Sequence, residues 1–290
     1  MLRIDAHHHF WEYNSSEFDW LNGDLASLRR NFLPADLEPE LRQANVAGTV
    51  TVQARQTVEE TDWLLRLAQA TPFLLGVIGW LPLREPAFPA LFDRYSEHSL
   101  LKGLRHVLQA EPAGFMDDPA FNNGIRTLRG SGCVYDLLIM EHQLEEATRF
   151  VDRHPNQPFV LNHLAKPRIA AQQLQPWASR LRELARRENV VCKISGMVTE
   201  ADPHHWSADQ LKPYFDTALE CFTPARLMAA TDWPVLSAGC TLQRWWELLA
   251  QWASPLSPHE QADLLGRTAI RTYSLTPTSV NETQPSEASA

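Results

Sequence analysis

Two histidines near the N-terminus, His7 and His9 in Ile4-Asp5-Ala6-His7-His8-His9-Phe10-Trp11, stand where a short apolar strand runs out. Side chains two apart on a strand share a face, so both imidazoles can converge on one metal ion or one substrate oxygen, while His8 faces away. Other strand-like runs end in groups of the same kind. Arg105 and His106 close one, Glu141 and His142 follow another, His163 ends a third and Asp232 a fourth. Each alone fits a structural polar residue. Together they supply imidazoles and a carboxylate to one mouth, where they can hold a divalent ion or move protons.

The elements that must position these groups repeat as strand then helix. Apolar, β-branched runs at 2–7, 48–53, 74–80, 101–107, 134–140, 159–163, 190–195 and 226–232 make eight candidate strands. Between them lie stretches of helical period, with stripes Leu144, Ala147, Phe150, Val151 and Leu211, Phe215, Ala218, Leu219, Phe222. Strands that read as nearly continuous apolar runs are those of a parallel sheet covered by helices. Eight such units predict an α/β protein, a (β/α)8 TIM barrel, whose site forms at the C-terminal ends of the strands.

The 290 residues are 44% hydrophobic and 21% charged, enough for a substantial core, and no linker or composition shift divides residues 1–273, which predicts one domain. From 274 to 290 the chain is polar and aperiodic and reads as a disordered tail. A formal net charge of -9 argues against nucleic acid or an anionic membrane as partner. No signal-peptide pattern and no membrane-length apolar run is present, so a cytoplasmic location is expected. Cys133, Cys192, Cys221 and Cys240 are widely spaced, as reduced structural thiols are. Monomer and homodimer both remain compatible with the sequence.

His7-x-His9, Asn162-His163-Leu164-Ala165-Lys166-Pro167 and Thr231-Asp232-Trp233-Pro234 resemble the motifs of the amidohydrolase superfamily. With Val52-Gln53-Ala54-Arg55, Leu104-Arg105-His106-Val107 and Tyr135-Asp136-Leu137-Leu138, the chain is similar to the sugar-lactonase branch, typified by L-fuconolactonase and related to 2-pyrone-4,6-dicarboxylate lactonase. The resemblance implies a distorted metal-dependent-hydrolase barrel that opens a lactone such as an aldonolactone. Asp232 would activate water, with His163 as its catalytic partner, and the histidines or their metal would polarise the carbonyl. It also implies metal ligands His7, His9, His163 and Asp232, for one divalent ion, Zn2+ by ligand type, although members of this branch also work without metal. Two-metal members place a carboxylated lysine at the end of the fourth strand; Arg105 and His106 stand there, so one ion at most is expected.

A small-molecule sugar lactone needs planar hydrogen-bonding groups and aromatic faces. The candidates are Gln53, Arg55, Arg105, His106, Glu141 and His142 with Trp11, Trp80 and Trp233. Two alternatives use the same residues: a metal-dependent decarboxylase of the superfamily, and a non-catalytic sugar-binding barrel.

Overall fold

Residues 1–277 are described in the computed structural model, so most of the expected tail lies outside the described residues. Eight parallel strands follow one another around the sheet in chain order. They are β1 (Ile4–His8), β2 (Gly48–Val52), β3 (Leu74–Gly79), β4 (Leu101–His106), β5 (Val134–Leu137), β6 (Phe159–Leu161), β7 (Val190–Ile194) and β8 (Leu227–Ala229). The connections carry α1 (Pro34–Gln43), α2 (Val58–Ala70), α3 (Phe88–Ser96), α4 (Pro119–Thr127), α5 (Leu144–Asp152), α6 (Trp177–Ala185), the single turn α7 (Met197–Glu200) and α8 (Ala208–Phe222). α9 (Leu242–Ala253) follows β8. This is a (β/α)8 barrel. No helix among the described residues is long and apolar enough to cross a membrane.

Sequence accounts for the helices locally. Thr57, Asp118 and Ser207 accept backbone N–H groups at the starts of α2, α4 and α8, replacing bonds that the first turn lacks. The α5 stripe is fully buried, as are Leu211, Phe215, Ala218 and Phe222 of α8, so the predicted apolar faces are those that cover the sheet.

The barrel closes between β8 and β1 through side chains as well as backbone. Asp5 Oδ1 accepts from Thr231 N at 2.9 Å and Oδ2 from Thr231 Oγ1 at 2.5 Å, and His8 bridges Trp233 in parallel. Val50, Val134, Val160 and Met228 pack with Tyr273 and Leu275, which plug the lower end of the barrel from the C-terminal segment. Leu275 is buried although it lies within the run read as tail, because it packs beside Gly76 and Lys102 at the starts of β3 and β4. Above this apolar plug lies a charged layer, Arg105, Asp136 and Lys193, none more than 3% exposed. The histidines rest on that layer.

Candidate active site

His7 and His9 do share one face at the end of β1, where the β1–β2 register shifts between Asp5 and His8. Their Nε2 atoms lie 3.1 Å apart. His9 Nδ1 donates to Val52 O at 2.7 Å, leaving the Nε2 lone pair free toward Asp232. His8 points the other way, to Thr49 Oγ1 at 3.0 Å and the rings of Phe10 and Trp233.

His163 and Asp232 were expected to end their strands. Instead β6 stops at Leu161 and β8 at Ala229, and both residues lie beyond, in left-handed backbone. His163, Leu164, Ala165 and Lys166 all have φ between 50° and 57°, and Asp232 has φ 61°. Left-handed non-glycine residues cost roughly 1–2 kcal/mol each, so the surroundings must hold this turn in place. Trp177 Nε1 donates to Leu164 O at 2.7 Å, Lys166 N to His163 O at 2.8 Å, and Asp232 N to His7 O at 2.8 Å. His163 Nδ1 meets Ser195 Oγ at 2.8 Å, and the neighbouring Gly196 has φ 69°. A Cβ on Gly196 would lie 2.9 Å from that of His163. Gly196→Ala is therefore expected to displace the imidazole and lower kcat by roughly 10- to 100-fold, read from steady-state kinetics beside a thermal melt.

These turns bring three imidazoles onto one carboxylate. Asp232 Oδ1 is 3.3 Å from His9 Nε2, 3.5 Å from His7 Nε2 and 3.8 Å from His163 Nε2. Arg105 lies under them, its Nη1 3.4 Å from His7 Nε2 and 3.3 Å from Asn162 Oδ1; it also donates to Gln53 O and twice to Gln53 Oε1. Burial opposes the charge of Asp232, but His163, His9 and Lys166 prevail and hold its carboxyl at about 2. Burial depresses all three imidazoles, His163 to about 3. At neutral pH the site is thus an anion among neutral imidazoles, the state in which such groups bind a cation. His7, His163 and Asp232 offer donor atoms within 4.8 Å of one another, a buried set that fits one divalent metal.

The same burial has a stability consequence. Burial also takes His8 to about 3 and His154 to about 4. Below about pH 6.5 the unfolded chain protonates these five imidazoles more readily than the folded protein does, so their stabilising contribution drains away as pH falls. Asp5 and Glu60, both pushed up to about 7 by burial, work in the opposite sense but are fewer. A net loss of roughly 1–3 kcal/mol per pH unit between pH 6.5 and 4.5 is expected from denaturant melts of metal-free protein.

The floor opens into a cavity of about 960 Å³. His9, His163, Asp232, Arg105 and Arg55 line it, with Arg55 anchored to Glu17 Oε2 at 2.7 Å. The other expected mouth residues are not on its wall. Gln53 stands behind Arg105 as its acceptor. Trp11 is buried against Phe18 and Phe32 and donates to Arg30 O, while Trp233 packs on Phe10 and Phe32 and donates to Glu40. Trp80 donates to His106 Nδ1, whose Nε2 meets Glu111 at 2.7 Å and whose ring stacks on Phe115. Glu141 is engaged by Arg168 and Arg180, and His142 is exposed.

The wall instead includes Trp20, Lys166 and Glu200, which residue type alone did not single out. Lys166 follows His163 around the left-handed turn, and Glu200 ends α7; Nζ and Oε1 are 3.7 Å apart, too far for a hydrogen bond. Trp20, 38% exposed, is one of three large apolar residues left open among the described residues.

The chain is similar to known proteins over most of its length. Curated L-fucono-1,5-lactonases of Burkholderia multivorans and Burkholderia ambifaria are 38% and 36% identical to the chain, over 94% and 81% of it and 96% and 81% of their own lengths. A crystal structure of an amidohydrolase from Burkholderia multivorans with bound zinc superposes with a TM-score of 0.91 at 38% identity, covering 95% of this chain and all of that one. The amidohydrolase family model matches residues 4–275, nearly the whole described chain, and the protein belongs to that family.

Proposed function

We propose that the protein hydrolyses a sugar-derived lactone, an aldonolactone such as L-fuconolactone, to the free acid. The observation that carries this is the Asp232 carboxylate set 3.3–3.8 Å from three imidazoles at the floor of a cavity of ligand size. Its relatives' names, L-fucono-1,5-lactonase in two cases and L-rhamnono-gamma-lactonase in a third at 27% identity, support the substrate class.

In this reading a water held between Asp232 and the imidazoles attacks the lactone carbonyl while Asp232 takes its proton. His7 and Arg105 face the developing negative charge on the carbonyl oxygen. Asp232, assisted by His163, then returns the proton to the departing ring oxygen, so the carboxylate is regenerated as the ring opens. Zn2+ is the ion proposed for His7, His163 and Asp232, with His9 beside them, and when bound it would acidify water and polarise the ester. Lys166 and Glu200 on one wall, Arg55 and Glu17 on the other, and the Trp20 face are proposed to take the sugar hydroxyls and ring. A small-molecule partner, a single catalytic domain and a cytoplasmic setting complete the proposal.

A panel of aldonolactones in weak buffer with a pH indicator tests it, with and without exhaustive chelation. Acidification by the protein is expected for at least one member; none at any lactone would overturn the reading, and carbon dioxide release from aromatic acids would replace it with the decarboxylase. Chelation followed by one equivalent of zinc is expected to restore whatever rate chelation removes. Lys166→Met and Glu200→Gln are each expected to raise KM by about tenfold, the worth of one or two hydrogen bonds of roughly 1 kcal/mol, with kcat changed less.

A further inference from the structure

Asp232 stands three residues beyond the end of β8, at φ 61°, so its strand does not aim it. What holds it is β1. Three consecutive backbone N–H groups, those of Thr231, Asp232 and Trp233, are tied to that strand. Thr231 N donates to Asp5 Oδ1 at 2.9 Å, and Asp232 N to His7 O at 2.8 Å. Trp233 N donates to Thr231 Oγ1 at 3.1 Å, and that oxygen lies 2.5 Å from Asp5 Oδ2. His9 N donates back to Trp233 O at 2.7 Å. Asp5 Oδ1 also accepts from His7 N at 3.1 Å, so one carboxyl group takes N–H donors from both segments that carry the floor residues. Asp5 and Thr231 are fully buried, and neither is on the cavity wall. The clasp holds wherever the proton between Oδ2 and Oγ1 sits, because Oδ1 accepts two backbone donors and Oγ1 a third in either case.

We propose that Asp5 and Thr231 are positioning residues for lactone opening, a clasp that sets the Asp232 carboxylate against the imidazoles of His7 and His9. The imidazoles ride on the strand that carries Asp5, so a single side chain fixes base and imidazoles in one frame. Asp232 Oδ1 stands 3.3 Å from His9 Nε2 and 3.5 Å from His7 Nε2 as a result. Without the Thr231 hydroxyl, Trp233 N loses its acceptor and Asp5 Oδ2 its partner, and the left-handed turn at 232 relaxes toward more favourable backbone, carrying the carboxylate with it. The reaction served rests on the lactonase reading; the placement of the carboxylate does not.

Thr231→Val keeps the shape of the side chain and removes the hydroxyl, whereas Thr231→Ser keeps the hydroxyl and removes the methyl. In Thr231→Val, kcat is expected to fall roughly 10- to 100-fold with KM within about twofold of the parent. Thr231→Ser is expected to restore kcat to within about threefold, whatever its melting temperature. A merely structural residue would instead make rate follow stability, so parental kcat in folded Thr231→Val, or no rescue by serine, would overturn the proposal. In the folded fraction, Asp5→Ala is expected to lose at least as much kcat as Thr231→Val, and the double variant no more than Asp5→Ala; losses that multiply would overturn the shared clasp. If Asp5→Ala fails to fold, the two Thr231 variants still decide. Crystal structures of metal-free parent and Thr231→Val supply a readout apart from activity: the Asp232 to His9 separation is expected to change by more than about 0.5 Å, and an unmoved carboxylate would overturn the proposal. A parent inactive on every lactone would sink the proposed function, while that separation would still decide the role of the clasp.

Discussion

Asp232→Asn is expected to lower kcat for lactone opening by roughly 10²–10⁴-fold with the fold preserved, the range a single general base contributes. The substitution keeps the shape of the side chain and removes only its ability to take a proton. Asparagine tolerates the left-handed backbone that residue 232 adopts at φ 61°, and the bond from its N–H to His7 O does not involve the side chain. The circular-dichroism spectrum and melting temperature should therefore stay close to those of the parent, so lost rate reads as lost chemistry. A carboxyl held at about 2 is a weak base on its own, and its value lies in being fully ionised beside an acidified or well-oriented water. The parent's kcat should accordingly show no inflection near pH 4, where an ordinary aspartate titrates. A variant that changed KM alone, with kcat intact, would assign Asp232 to binding and remove the base from the mechanism.

The sequence carries the barrel and the chemical identity of its floor far better than it carries the wall. Eight strands were legible because each is a short, nearly continuous apolar run, a pattern set by burial on both faces. His7 and His9 were legible because strand alternation alone places them together. His163 and Asp232 were legible by type but not by position, since the left-handed turns that carry them depend on Trp177, Ser195 and the β1 backbone, partners remote in sequence. The tryptophans misled for a related reason: Trp11 lies past the end of β1, where its bridge to Phe32 and not the strand sets its direction, and Trp233 is one residue on from Asp232, so both join one aromatic cluster behind the site. Lys166 and Glu200 reach the cavity from a turn and a single helical turn, and Glu17 and Trp20 from the long β1–α1 connection, none of which has a period from which a facing direction follows.

Arg105→Met is expected to be the most destabilising single change at the site and to lower kcat by about 10²-fold or more. Arg105 is 3% exposed, and its guanidinium supplies the donors to Gln53 O, Gln53 Oε1 and Asn162 Oδ1. Methionine fills much of the volume but leaves those acceptors buried with no partner, and it removes a positive charge from between Asp136 and Asp232. Breaking a buried charged network in this way costs roughly 3–5 kcal/mol, which denaturant melts would register as a lower midpoint at unchanged slope. The catalytic loss has a separate origin: burial draws the arginine down to about 10, still cationic at neutral pH, and 3.4 Å from His7 Nε2 it sets a fixed positive charge on the cavity lining. Arg105→Lys separates the two effects. Lysine restores the charge but not the fork that grips Gln53, so it should recover part of the rate while remaining less stable than the parent. If Arg105→Met instead retained the parent's kcat in the folded fraction, carbonyl polarisation would rest on the imidazoles and any bound metal, and Arg105 would be a structural strut beneath them.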